Sequence, residues 1–260
     1  GTKNTSVGKS SLATNTTGSC NTALGVDALT SATTASDNAA VGTQSLLSNT
    51  TGTQNVAVGN NTLDANTTGN SNTALGHNSL SANTTAANNL AAGNNSLCTT
   101  TTGCQNTALG SNAMDANTTG DNNVAVGRDA LGANTTADTN VAIGHSALAS
   151  NTTGANNVAV GCGSLLNNVD DNRNTAIGHL SICGNGTISG GCNTALGALS
   201  LRCLTSGSSN TAIGDGALCK NSTAGDNTAI GSSSLNANTT GACNTAMGRY
   251  ALCLLYTSDA

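Results

Sequence analysis

Apolar residues recur along this chain at a fixed interval, and nearly everything between them is small or polar. The stretch "NTALGSNAMDANTTGDN", residues 106–122, shows the unit: Leu109 and Met114 stand among Ala, Asn, Asp, Thr, Ser and Gly. Aligned on Asn-x-Ala-x-Gly, with Ser6 in place of Ala in the first unit, the chain has fifteen copies. They are anchored at Asn4, Asn21, Asn38, Asn55, Asn72, Asn89, Asn106, Asn123, Asn140, Asn157, Asn174, Asn193, Asn210, Asn227 and Asn244. Every step is 17 residues except the 19 from Asn174 to Asn193, where "CGNGTISGGC" replaces the usual "NTTG" segment and a loop or bulge at one corner is expected.

Numbering the unit from its Asn separates the positions by chemistry. Column 1 is always Asn and column 5 always Gly; column 3 is Ala after the first unit, column 4 is aliphatic or Met except for Ala92, and column 9 is Leu except for Met114 and Ile182. Columns 4 and 9 hold 27 of the 42 Leu, Val and Ile residues, so the apolar positions are fixed by the repeat. Two apolar residues in 17 cannot line a helix, because Gly follows one and "NTTG" follows the other. The pattern predicts instead a short strand over columns 1 to 5, a turn near the Gly, a second short segment around column 9 and an Asn/Gly turn over columns 12 to 15. The expected fold is all-β: a parallel β-solenoid with one 17-residue unit per coil, forming a single repeat domain over residues 4–252.

Three columns carry more specific expectations. Gly in column 5 answers either a positive φ or the close approach of a neighbouring coil. Asn in column 1 is expected to stack on its copies, amide to amide, and to satisfy buried backbone groups. Strand alternation points Ala of column 3 away from the aliphatic of column 4. If column 4 is the core, the Ala face is a second packed surface, and other copies of the chain would cover it.

Composition sharpens this reading. There is no Phe, Trp or Pro, and the aliphatic content is too low for an ordinary globular core, yet only 7% of residues are charged and the net charge is −5, which does not fit a disordered chain either. The seven basic residues are scattered, so a nucleic-acid partner is not expected. No apolar run approaches a membrane span, so no membrane contact is expected within these residues. The chain opens at Gly1 in mid-pattern, and its last eight residues, "CLLYTSDA", resemble a translated sequencing adapter. Residues 253–260 are therefore expected to be a scar, and the rest a fragment of a longer protein.

Spread over Asn4 to Leu252, "NTALGxxALxxNTTGxx" resembles the head repeats of trimeric autotransporter adhesins. It is closer still to the 17-residue repeats of bacterial and phage surface fibres that end in an endosialidase-type intramolecular chaperone. The resemblance implies a left-handed parallel β-roll packed as a homotrimer. It also implies a shaft or head segment of an extracellular fibre on a bacterial surface or phage virion, with a surface ligand such as a glycan or matrix protein. Asn106, Ala108, Leu109, Gly110 and Met114 would then be structural repeat positions. Anchor and chaperone segments of such fibres are not in this stretch.

No catalytic, cofactor-binding or metal site is expected. Every acidic residue is Asp, without paired carboxylates, and no phosphate-binding loop occurs. His77, His145 and His179 all fall in column 6, which also holds Lys9, Arg128, Asp215 and Arg249 and therefore reads as solvent-facing. His145 and His179 stand two coils apart, roughly 10 Å, a spacing read as too wide for a shared ion. Ten cysteines form no ladder; Cys98 with Cys104 and Cys183 with Cys192 are the candidate disulfides across a corner. Two further readings stand beside the fibre. Thr-Thr fills columns 13 and 14 of the first nine units, including Thr50, Thr51, Thr67, Thr68, Thr118 and Thr119, and could form an ice-binding face. The repeats could also be a spacer for a catalytic domain beyond Leu252.

Overall fold

The computed structural model describes residues 1–184 and 186–254. Its regular structure is all β, and the chain divides into two compact units, Gly1–Asp129 and Ala130–Ala260. In the first unit the strands are β1 (Thr5–Val7), β2 (Thr22–Leu24), β3 (Ala39–Val41), β4 (Val56–Val58), β5 (Thr73–Leu75), β6 (Leu90–Ala92), β7 (Thr107–Leu109) and β8 (Val124–Val126). In the second they are β9 (Val141–Ile143), β10 (Val158–Val160), β11 (Thr175–Ile177), β12 (Thr194–Leu196), β13 (Thr211–Ile213), β14 (Thr228–Ile230) and β15 (Thr245–Met247). Each strand occupies columns 2 to 4, and within each unit neighbouring strands pair in parallel, column on column: Thr107↔Val124 and Ala108↔Ala125 in the first unit, Val158↔Thr175 and Ala159↔Ala176 in the second. Each unit is a parallel β-solenoid.

Which side of the strand faces in differs from the sequence expectation. Ala of column 3 is buried from Ala23 to Ala246, while column 4 points out, with Leu75 52% and Leu196 44% exposed. The reason is width. A coil of 17 residues closes tightly, and its interior holds Ala of column 3, the small Ala, Ser or Thr of column 8 and one large aliphatic or Met of column 9, as at Ala142, Ala147 and Leu148. Alternation was read correctly; the assignment of faces was inverted.

Both causes proposed for Gly in column 5 operate. Gly110 has φ +142°, and a Cβ on it would stand 2.5 Å from the Gly127 carbonyl oxygen of the next coil. Neither the dihedral nor the contact admits a side chain.

The column 1 amide satisfies buried backbone groups, as expected, and stacks on its copies only in some coils. Asn106 Nδ2 donates across its own coil to the Gly120 carbonyl (2.8 Å), and Asn106 Oδ1 accepts the backbone N–H of Asn123 in the next coil (2.9 Å). Amide-to-amide contacts in this column are longer and intermittent, as from Asn123 Nδ2 to Asn106 Oδ1 (3.2 Å). The true amide ladder is in column 12, where Asn66 Nδ2 donates to Asn49 Oδ1 (2.9 Å) and Asn83 Nδ2 to Asn66 Oδ1 (2.7 Å). The column 15 carbonyl receives both: Gly120 O accepts from Asn106 and, at 3.1 Å, from Asn117. Two lone pairs meet two buried amides, and the coil is closed.

The 19-residue coil keeps its register at both ends, Thr175 pairing with Thr194 after Val158 pairs with Thr175. The added residues bulge at the corner, and Ile188 drops into the column 12 row, bridged to Asn168 and fully buried. Leu204 follows it in the next coil, so an apolar pair interrupts the amide ladder there. Of the expected terminal scar, Cys253 still accepts a backbone hydrogen bond from Ala237 (3.2 Å), and residues 255–260 lie outside the described residues.

Candidate interaction surface

Columns 2 and 4 share the outer face of each sheet. In the first unit they present Thr, Ala, Val or Leu at every strand, and in the second Thr, Val, Ile, Leu or Met, without a charged residue at any of these positions. Val56 and Leu90 in column 2 are exposed beside Leu24, Leu75, Ile143, Ile177 and Leu196 in column 4. The repeat stacks them at strand spacing, about 4.8 Å. An apolar stripe of this regularity is larger than the scattered apolar residues of ordinary monomer surfaces. Sequence reasoning placed the second packed surface on the Ala face; the structure puts the unpartnered apolar face on the aliphatic one.

The Thr pairs separate into two columns with different roles. Column 13 turns its hydroxyls to the neighbouring coil, Thr50 Oγ1 donating to the Thr67 carbonyl (3.1 Å) and Thr67 Oγ1 to that of Thr84 (3.0 Å), and Thr118 is half-buried like them. Column 14 is exposed at Thr51, Thr68 and Thr119, at a bend in the chain. The exposed row is therefore one threonine wide.

The candidate disulfides are not formed, and all ten cysteines are free. Cys98 Sγ reaches forward to the Asp115 carbonyl (3.5 Å), whereas Cys104 Sγ accepts the backbone N–H of Ala87 in the preceding coil (3.4 Å). The buried column 12 turn lies between them and sends their sulfurs in opposite directions along the solenoid. Cys183 is half-buried, and Cys192 is exposed in left-handed backbone (φ 62°). Burial pushes the Cys98, Cys183 and Cys219 thiols above their ordinary range, with Asp115 raising Cys98 further and Arg202 opposing the shift at Cys183.

His77, His145 and His179 are exposed, as column 6 predicted. Among the described residues no three His, Cys or Asp side chains converge, as placed, into a set that could hold a metal ion. Nor is any helix long and apolar enough to cross a membrane. Sequence reasoning missed one neighbour in column 6: Cys162 occupies it in the coil between His145 and His179, and its Sγ lies 3.7 Å from His145 Nδ1.

Comparison with family models, curated proteins and solved structures returns no match.

Proposed function

We propose that this chain is a structural and adhesive segment, shaft or head, of an extracellular fibre on a bacterial surface or virion. In it, three copies pack as left-handed rolls along their column 2 and column 4 faces. The observation that carries this reading is the uncharged aliphatic stripe on the outer sheet face. A partner covering it must be apolar and must repeat at the same coil spacing, and a second copy of the chain meets both conditions. The resemblance of the repeat to adhesin heads and fibre shafts supports the same assembly. Its function is mechanical and multivalent: stacked coils hold identical side chains in rows, where weak contacts to a glycan or matrix protein sum by avidity.

The test is the solution mass by light scattering after gel filtration. A mass three times that of the chain is expected; a folded monomer would overturn the reading.

The exposed column 14 row favours a second reading, ice binding, because seven threonines from Thr17 to Thr119 stand in register in the first unit. Thermal hysteresis that disappears in Thr68→Tyr and Thr119→Tyr would support it, and its absence in the unaltered chain would dismiss it.

A further inference from the structure

We propose that the second copy covering the outer sheet face stands parallel and unstaggered, each coil beside its own counterpart, with Leu90 of one copy seated in the recess over Ala92 of the next. The arrangement rests on the association proposed above and fixes its register. In every other strand the column 4 residue is at least as large as the column 2 residue; β6 alone reverses them, with Leu90 in column 2 and Ala92 in column 4. Leu90 is the only Leu of column 2 and Ala92 the only Ala of column 4, and both fall on the same strand. Ala91 between them is buried, so their side chains share the outer face, Leu90 38% exposed and Ala92 half-buried.

The strand register turns this reversal into a shape. Leu90 pairs with Thr73 and Thr107 and stands proud of its row, whereas Ala92 pairs with Leu75 and Leu109 and leaves a gap in theirs. Those two leucines are two strand spacings apart, about 10 Å, and the gap is that of one missing Leu side chain. Rotation about an axis along the solenoid keeps each coil at its own height and turns column 2 of one copy towards column 4 of the next, a head-to-tail contact that can close. At the height of β6 the only column 2 Leu then meets the only column 4 Ala. Sliding one copy by a coil sets Leu90 against Leu75 or Leu109 and leaves Ala92 facing Thr107 or Thr73, overpacked at one level and hollow at the other. An antiparallel neighbour turns column 2 onto column 2 and gains nothing from the recess.

The test is self-selection between two forms of the chain. Leu90→Thr with Ala92→Leu gives β6 the Thr-Ala-Leu order of β5 and β7 and removes both the ridge and the recess. That chain is expected to assemble with its own copies to the same light-scattering mass as the unaltered chain. When the two forms are tagged differently and refolded together, mixed assemblies are expected about tenfold or more below the statistical proportion, because each must hold a Leu-on-Leu contact and a Thr-on-Ala contact. Ala92→Leu alone sets Leu on Leu at every contact, and a dilution series is expected to show association weakened about tenfold or more. Circular dichroism is expected to be unchanged in both variants, because columns 2 and 4 lie outside the interior. Mixed assemblies at the statistical proportion, or an Ala92→Leu chain that associates as tightly as the unaltered one, would overturn this register and leave the association standing. An unaltered chain that stays monomeric would overturn both.

Discussion

Column 9 is the residue at which local preference and packing compete most openly. Its side chain adopts left-handed backbone in all fifteen coils, with φ from 44° at Ile182 to 55° at Met114. Such a conformation costs an L-residue about 1–2 kcal/mol, and burying a Leu returns about 1.5–3 kcal/mol, so burial wins by a modest margin. The same competition explains the identity of the side chain. Branching at Cβ is worst tolerated at positive φ and best accommodated in a strand. Column 9 is accordingly Leu or Met in every coil but one, with Ile182 its single β-branched residue, and Val and Ile concentrate in column 4. Column 10 carries a different conflict. Burial raises the Asp64 and Asp115 carboxyls above their ordinary range, backbone hydrogen bonds only partly opposing it, and Asp64 Oδ1 is buried without a partner. The folded state then holds these protons more tightly than the unfolded chain does. Their contribution to stability is fully present below the ordinary carboxylate range and is lost as pH rises through the folded values. Asn236 already fills this column and donates to the Gly216 carbonyl (2.8 Å). Asp64→Asn with Asp115→Asn is therefore expected to raise the melting temperature at neutral pH and leave it unchanged in acid, as a thermal melt at each pH would read.

A coil is held closed by the two amides that meet at column 15. Asn106→Ala would leave the Gly120 carbonyl with one donor fewer and the Asn123 backbone N–H without its acceptor, both buried. An unsatisfied buried group costs about 1–3 kcal/mol, so roughly 2–5 kcal/mol of destabilisation is expected by urea unfolding. Asn60→Ala, in exposed column 6, loses one surface hydrogen bond to the Thr43 N–H and is expected to cost below about 0.5 kcal/mol. Equal effects at the two positions would show that the column 1 amide is not a clamp. That Asn recurs in columns 1 and 12 was legible in the sequence, but the division of labour between them was not. Both columns offer the same amide, and only the path of the coil decides that column 1 reaches across to a carbonyl while column 12 faces its own copies.

At the scale of the whole molecule, the decisive feature is that the large side chains of each strand lie outside. Leu75 and Ile177 belong to separate units and are both exposed on the column 4 face. If that face carries association, Leu75→Asp with Ile177→Asp is expected to reduce the light-scattering mass to that of one chain without loss of β circular dichroism. The proposal fails if the doubly substituted chain keeps the unaltered mass. Ala of column 3 gives the contrasting outcome. Ala108→Asp would bury a charge in the narrow interior of its unit and is expected to unfold it.

The sequence by itself determined the coil length, the register, a short strand within columns 1 to 5, the turn at column 5 and the exposure of column 6. These follow from local chemistry repeated at a constant period: Gly where no Cβ fits, Asn and Gly at turns, apolar residues two per coil. The tertiary structure alone decided which face of the strand is inside, because alternation separates columns 3 and 4 but carries no sign. It also decided that Cys98 and Cys104 diverge, and that His145 and Cys162, seventeen residues apart, bring nitrogen and sulfur to 3.7 Å. Each of these depends on where the chain closes and how neighbouring coils overlie, and those distances exist only once the coil has formed.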